Sequence, residues 1–183
     1  MANTTASPGT MANDSAVGTV AWNNPNNAKV SDDSYALTDS MDGVVSTNYL
    51  KATNFGFSIP IGATINGVEV GVEQKFTGTP TAGNLKVKLV KGGVVSGDFS
   101  DVLSISDVDT YVLQGGSTDL WENTLTAVDI NSSTFGCVYY IEDANGGFVV
   151  SVDHIRTTVY YTETTSSTIT GVQTAQGINT ITF

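Results

Sequence analysis

The 183 residues hold one cysteine, one histidine, four prolines and only seven lysines and arginines. A single cysteine excludes an intrachain disulfide, and one Cys with one His cannot build a structural zinc site. Seven bases against 18 acids leave a formal net charge of −11. Such a surface repels phosphate, and the few bases do not cluster, so we expect no nucleic-acid partner. No apolar run has the roughly 20 residues needed to cross a bilayer, so we expect no membrane partner. MANTTASPGT has neither a basic n-region nor an apolar h-region, the reading of a soluble protein made in the cytoplasm. No phosphate loop, nucleophile elbow or acid/base pair stands out. The expectation is therefore no enzyme and no cofactor.

The hydrophobic fraction is 40%, with Thr, Ser, Asn and Val abundant and the usual helix formers sparse. That mixture suits strands and turns. The clearest period lies in FGFSIPIGATINGVEVGVEQKF, residues 55–76. Phe55, Phe57 and Ile59 alternate with small or polar residues, as do Val68, Val70 and Val72, the pattern of half-buried strands. Pro60 and Gly62 interrupt the ladder between the two runs, so two strands are expected to meet at a corner. With Leu85, Val87, Leu89, Phe135, Ile155 and Val159, these residues form the expected core. The fold class is all-β, a two-sheet antiparallel sandwich over residues 16–163, with extended arms at 1–15 and 164–183.

Residues 1–15 are small and polar with no apolar period, which predicts an arm. Trp22, ahead of the turn-rich NNPNNA, is expected to anchor the core. Asp32, Asp33 and Asp39 lie around a loop-to-strand junction and are the candidate metal ligands. A Ca²⁺ ion takes six to eight oxygens, which this loop alone does not supply, so the plainer reading is a solvated turn and no metal requirement. Lys86 and Lys88 are expected to pair with Glu69 or Glu73 across strands. Residues 91–116 are loosely patterned, and Asp98, Asp101, Asp107 and Asp109 read as outward positions of weak strands on a variable rim. Asp129 and Asn131 open a helical or 3-10 turn ahead of Phe135. Residues 135–141 are apolar on both faces, which predicts a central strand or one beneath another subunit. Asn145-Gly146 predicts a hairpin, and the parity change at Asp153-His154 predicts a bulge in the return strand. His154 beside Asp153 reads as a structural hydrogen-bonding residue. In the tail, Ile169, Val172, Ile178, Ile181 and Phe183 are spaced among Thr, Ser and Gln. They are too few for a core and suit a strand added to another sheet edge.

Four stretches together, WNNPNNAKVSDDSYA (22–36), NYLKATNFGFSIPIGATINGVEVGVE (48–73), DLWENTLTAVDINSSTFG (119–136) and VDHIRTTVYYT (152–162), resemble a β-sandwich domain of tailed-bacteriophage virion proteins. The resemblance spans nearly the whole middle of the chain and rests on packing and turn residues. It implies a jelly-roll-like fold displayed on a virus particle.

Two functions follow as expectations. The first is a virion structural protein, a decoration or auxiliary protein on the head surface. Terminal arms would tie it to other virion proteins, the major capsid protein foremost, and it would work as a homo-oligomer, with virus symmetry suggesting a trimer. The second is a carbohydrate- or receptor-binding module of a tail or fibre, with Trp121 and the 91–116 loops as contact candidates.

Overall fold

In the computed structural model, which describes residues 1–102 and 106–164, the chain forms two antiparallel sheets packed face to face. The elements in order are β1 (Ala2–Ala6), β2 (Thr10–Asp14), β3 (Trp22–Asn23), a 3-10 turn at Pro25–Ala28, β4 (Ala36–Thr38) and β5 (Tyr49–Thr53). They continue with β6 (Thr64–Gly78), β7 (Ala82–Lys91), β8 (Val94–Val102), β9 (Thr110–Gly115), α1 (Ala127–Asn131), β10 (Gly136–Asn145) and β11 (Phe148–Thr162). The first sheet runs β3-β4-β11-β6-β9, with β1 also paired to β11. The second runs β2-β5-β10-β7-β8.

Every core residue expected from period-two alternation is buried in one cluster between the sheets. On β6, Val68, Val70 and Val72 are fully buried and face Leu85, Val87 and Leu89 of the opposite sheet across that core. Burial of this kind contributes roughly 1.5–3 kcal/mol per side chain. Trp22 is an anchor as expected: it is 3% exposed, and its ring N–H donates to the Asn48 carbonyl at 2.8 Å.

β10 lies between β5 and β7, the central position its two apolar faces predict. Cys137, Tyr139 and Ile141 point into the main core. Val138 and Tyr140 point the other way and join Tyr49 and Val90 in a second cluster on the outer face, flanked by Val17 and Val95. There Tyr49 meets Tyr140 edge-on at 5.0 Å, an arrangement that suits the ring quadrupoles.

Four expectations are corrected. Residues 1–15 hold two edge strands in place of an arm: β1 pairs with β11 and β2 with β5. Met11 of β2 enters the core and Ala6 packs against it, while the ladder hydrogen bonds hold the small polar remainder. Phe55, Phe57 and Ile59 are buried but belong to no strand, so the alternation reported burial without pairing. Asn145-Gly146 makes no hairpin, because β10 and β11 lie in different sheets. Gly146 has φ +115°, and a Cβ there would fall 2.5 Å from the Thr79 carbonyl oxygen and the Thr81 nitrogen. The dipeptide thus serves a close crossing from one sheet to the other. Finally, Lys86 pairs with Glu142 at 3.0 Å, since β7 and the Glu69 and Glu73 positions on β6 belong to opposite sheets. The tail 165–183 lies outside the described residues.

Candidate functional site

The predicted bulge is present. The β11–β6 register slips between Val152 and His154, so Asp153 has no partner of its own on β6. This places Asp153 on the outer side of the first sheet, 2% exposed, beneath the loop that leads into β4. One of its carboxylate oxygens accepts from the Asp32 N–H at 3.3 Å.

Asp153, Asp33 and Asp109 each bring a carboxylate oxygen within 4.8 Å of the other two. The three come from the bulge in β11, the loop before β4 and the entry to β9. Asp33 holds φ +63°, a conformation that Asp tolerates better than most residues. The Tyr35 hydroxyl donates to Asp109 at 2.7 Å and stands 3.2 Å from Asp33. Its hydrogen bond to Asp109 pushes the phenol well above its usual range. The Lys75 ammonium lies 3.9 Å from Asp109 and 3.8 Å from the centre of the Tyr35 ring.

Burial raises the Asp153 carboxyl, the charges of Glu73 and Asp109 raise it further, and the N–H groups of Asp32 and Asp33 act in the opposite direction. Two carboxylate oxygens beside this group, Asp109 Oδ1 and Glu73 Oε2, are buried without a hydrogen-bond donor. Chemically the group is an acceptor-rich cluster. Its three convergent oxygens are hard ligands of the type Ca²⁺ takes, though fewer than the six to eight of a full shell.

Of the three candidate ligands read from the sequence, only Asp33 belongs to this group. Asp32 is exposed; its N–H supports Asp153, and its own carboxylate accepts from the Ser34 N–H at 3.0 Å as an Asx turn. Asp39 lies apart, accepting from Asn23 at 3.0 Å. Asp109 and Asp153 could not be joined to Asp33 from the sequence, because the pairing of β4 with β11 and of β9 with β6 brings them together. The parity break at Asp153 was the one visible sign.

Next to the acidic group, at one level across three strands, stand Tyr111, Glu73 and His154. His154 is 8% exposed, with Nε2 at 2.9 Å from the Ser7 hydroxyl and Nδ1 at 2.6 Å from the Tyr111 hydroxyl. Desolvation lowers its pKa, so the ring favours its neutral form. The partners are hydroxyls and not the neighbouring Asp153. Burial, then a hydrogen bond to Glu73, raises the Tyr111 phenol. A consistent assignment has Ser7 donating to His154, His154 donating to Tyr111, and Tyr111 donating to Glu73. The Ser7–His154 spacing is that of a nucleophile and its base. Among the described residues, however, no cavity adjoins it to hold a substrate away from water. What the chain of hydrogen bonds does in this fold is tie the β1–β2 link to β11 and β9.

Arg156 lies over the Tyr111 ring at 4.1 Å, beside the half-exposed Leu113. Trp121 is 3% exposed, and its ring N–H donates to the Val68 carbonyl at 2.9 Å, so it presents no face for a sugar to stack on. Among the described residues of 91–116, β8 and β9 are edge strands of opposite sheets.

No family model matches the chain, and no curated protein matches it in sequence. Among solved structures it is similar to the apo CBM1 of BiXyn10A, with TM-score 0.41 and 6% identity, over 90% of this chain and 91% of that one. It is also similar to the N-terminal cellulose-binding domain of β-1,4-glucanase C from Cellulomonas fimi, with TM-score 0.33 and 5% identity, over 84% and 87% of the two chains. A third likeness is to infectious bursal disease virus, Gt strain, with TM-score 0.24 and 10% identity, over 91% of this chain and 37% of that one. At these scores the likeness is one of general shape.

Proposed function

We propose that the chain is a non-catalytic structural protein of a tailed-bacteriophage particle, a decoration or auxiliary protein that binds the head lattice. The observation that carries this reading is the resemblance of residues 22–36, 48–73, 119–136 and 152–162 to virion β-sandwich domains. It is supported by the uncharged segment 165–183, in which Ile169, Val172, Ile178, Ile181 and Phe183 are spaced for contact with a neighbour. Extended segments gain backbone hydrogen bonds by joining a neighbour's edge, and repeated contacts over a particle add avidity without a large interface. The partners are the major capsid protein and further copies of this chain; a trimer matches virus symmetry. Fractionation of purified particles tests the reading. A decoration protein is recovered in many copies with heads, and deletion of 165–183 removes it from them; recovery in a few copies with tails overturns the head assignment.

The second reading, a carbohydrate- or receptor-binding module, is favoured by one observation. The outer face of the first sheet places Tyr111, Arg156 and Leu113 side by side, an apolar and hydrogen-bonding surface of the sort that sugars stack on. Glycan-array binding lost in Tyr111→Ala and kept in Trp121→Phe would establish it over the first.

A further inference from the structure

At the end of β11, Tyr161 is paired on one side with Ala2 of β1 and on the other with Ile65 of β6. Two residues beyond the strand, the Thr164 hydroxyl donates to the Gly62 carbonyl at 2.7 Å. Gly62 precedes β6, and Thr164 opposite Gly62 continues the register of Thr162 opposite Thr64, so the chain runs on past the end of the β11–β6 ladder.

β1 has β11 along one edge and, among the described residues, no strand along the other. Proteins protect open edges with lysine, proline, inward charge or a bulge. β1 has none of these: its sequence is ANTTA, paired without a register shift over Ala2–Ala6. Asn3 and Thr5 are exposed, and Ala6 packs against the core, so the strand is held in place with its outer row of backbone donors and acceptors facing no described strand. Residues 165–183 have no charged side chain and hold six Thr, three Ile and one Val. Such a segment fits an uncharged edge through backbone hydrogen bonds, with nothing to repel it.

From these relationships we infer that residues 165–183 of one copy add as a strand to the free edge of β1 in a second copy. At about 3.3 Å per extended residue, 19 residues reach on the order of 60 Å, enough to cross to a neighbour. Because β1 is antiparallel to β11, a tail turning straight back from the end of β11 would run parallel to its own β1, whereas the tail of a second copy is free to pair antiparallel. This rests on the arm reading above and names its partner: the arm's receptor is this chain itself.

The test uses full-length protein. Asn3→Cys is mixed with each of Thr170→Cys, Gln173→Cys, Gln176→Cys and Asn179→Cys, oxidised mildly, and resolved on non-reducing gels with mapping by mass spectrometry. Cys137 is buried and stays silent. The expected result is a disulfide between two chains, joining residue 3 to one of the tail positions, strongest where the register aligns them. Thr5→Cys, on the same exposed side of β1, serves as the second probe should Asn3→Cys fold poorly. Carrying both cysteines on one chain distinguishes the alternative of self-docking: a disulfide within that chain, at dilution, overturns the inference. Absence of any cross-link while the protein still occupies particles also overturns it and leaves the arm reading standing. Cross-linking without particle attachment supports the inference and removes the head-binding role.

Discussion

Asn131 completes both backbone hydrogen bonds of Ile59: its Oδ1 accepts from the Ile59 N–H at 2.7 Å, and its Nδ2 donates to the Ile59 carbonyl at 2.8 Å. One side-chain amide therefore stands where a neighbouring strand would be. This explains how Ile59, like Phe55 and Phe57 before it, lies buried outside either sheet. Asn131→Ala leaves two polar groups unpaired at a residue only 2% exposed. An unsatisfied buried group costs about 1–3 kcal/mol, and in a domain of this size each kcal/mol lowers Tm by roughly 2–4 °C. Thermal melts should show a drop of that order; an unchanged Tm would mean water satisfies the site equally well.

Asp153 gives a pH signature. Its folded-state pKa is raised by burial, so ionisation disfavours the fold: the carboxyl's contribution is fullest below the unfolded value of about 3.9 and is lost as pH rises through the folded one. Asp153→Asn removes the charge held against Glu73 and Asp109 and retains an acceptor for the Asp32 N–H. Melting across pH should find the variant more stable than the parent at pH 7, with the difference shrinking toward pH 4. A variant less stable at neutral pH would show that the backbone hydrogen bonds outweigh the repulsion.

At the start of α1, Thr126 and Asp129 form a reciprocal cap, with the Thr126 N–H and hydroxyl donating to Asp129 Oδ2 at 2.9 and 2.7 Å. Burial pushes this carboxyl up, but Thr126 and Lys91 outweigh it and hold it below its usual value. Its contribution is then present above the unfolded pKa and lost as pH falls through the folded one. Asp129→Asn should cost about 1 kcal/mol in denaturant titrations at pH 7 and progressively less below pH 4. A penalty independent of pH would assign it to packing.

Burial raises the Cys137 thiol to about 12, with Thr157 acting weakly the other way. The thiolate is the reactive form, so Cys137 should resist thiol reagents in the native protein and label only on unfolding. Labelling at the rate of a free thiol under native conditions would contradict its placement between the sheets.

Val70 is fully buried on β6 among core side chains from both sheets. Val70→Asp places an unpaired charge there, at a cost of several kcal/mol, and should yield insoluble or unfolded protein. A soluble variant with a cooperative melt would reverse the assignment of strand faces.

Alternation made the core legible. Phe55, Val70, Ile155 and the run Leu85, Val87, Leu89 were all readable as inward, because period two depends only on the local chain. Pairing was not readable. Nothing in ANTTA marks it as a partner of TTVYY, and nothing in Asn145-Gly146 says that the flanking strands go to separate sheets. Asp33, Asp109 and Asp153 were separately visible as acids, but their meeting depends on three non-local pairings and one bulge.

The pairing of residues 2–6 with 157–161 has a consequence in time. During synthesis, β1 emerges well before β11 and waits for all the intervening strands before its partner exists. β11 is also the common neighbour of β1, β4 and β6, so the first sheet cannot assemble until this strand leaves the ribosome. Topologies dominated by such distant pairings fold in about milliseconds to seconds, since loop closure precedes the contacts that reward it. During the wait the bare edges of β4 and β6 are open to neighbouring nascent chains as well as to their own.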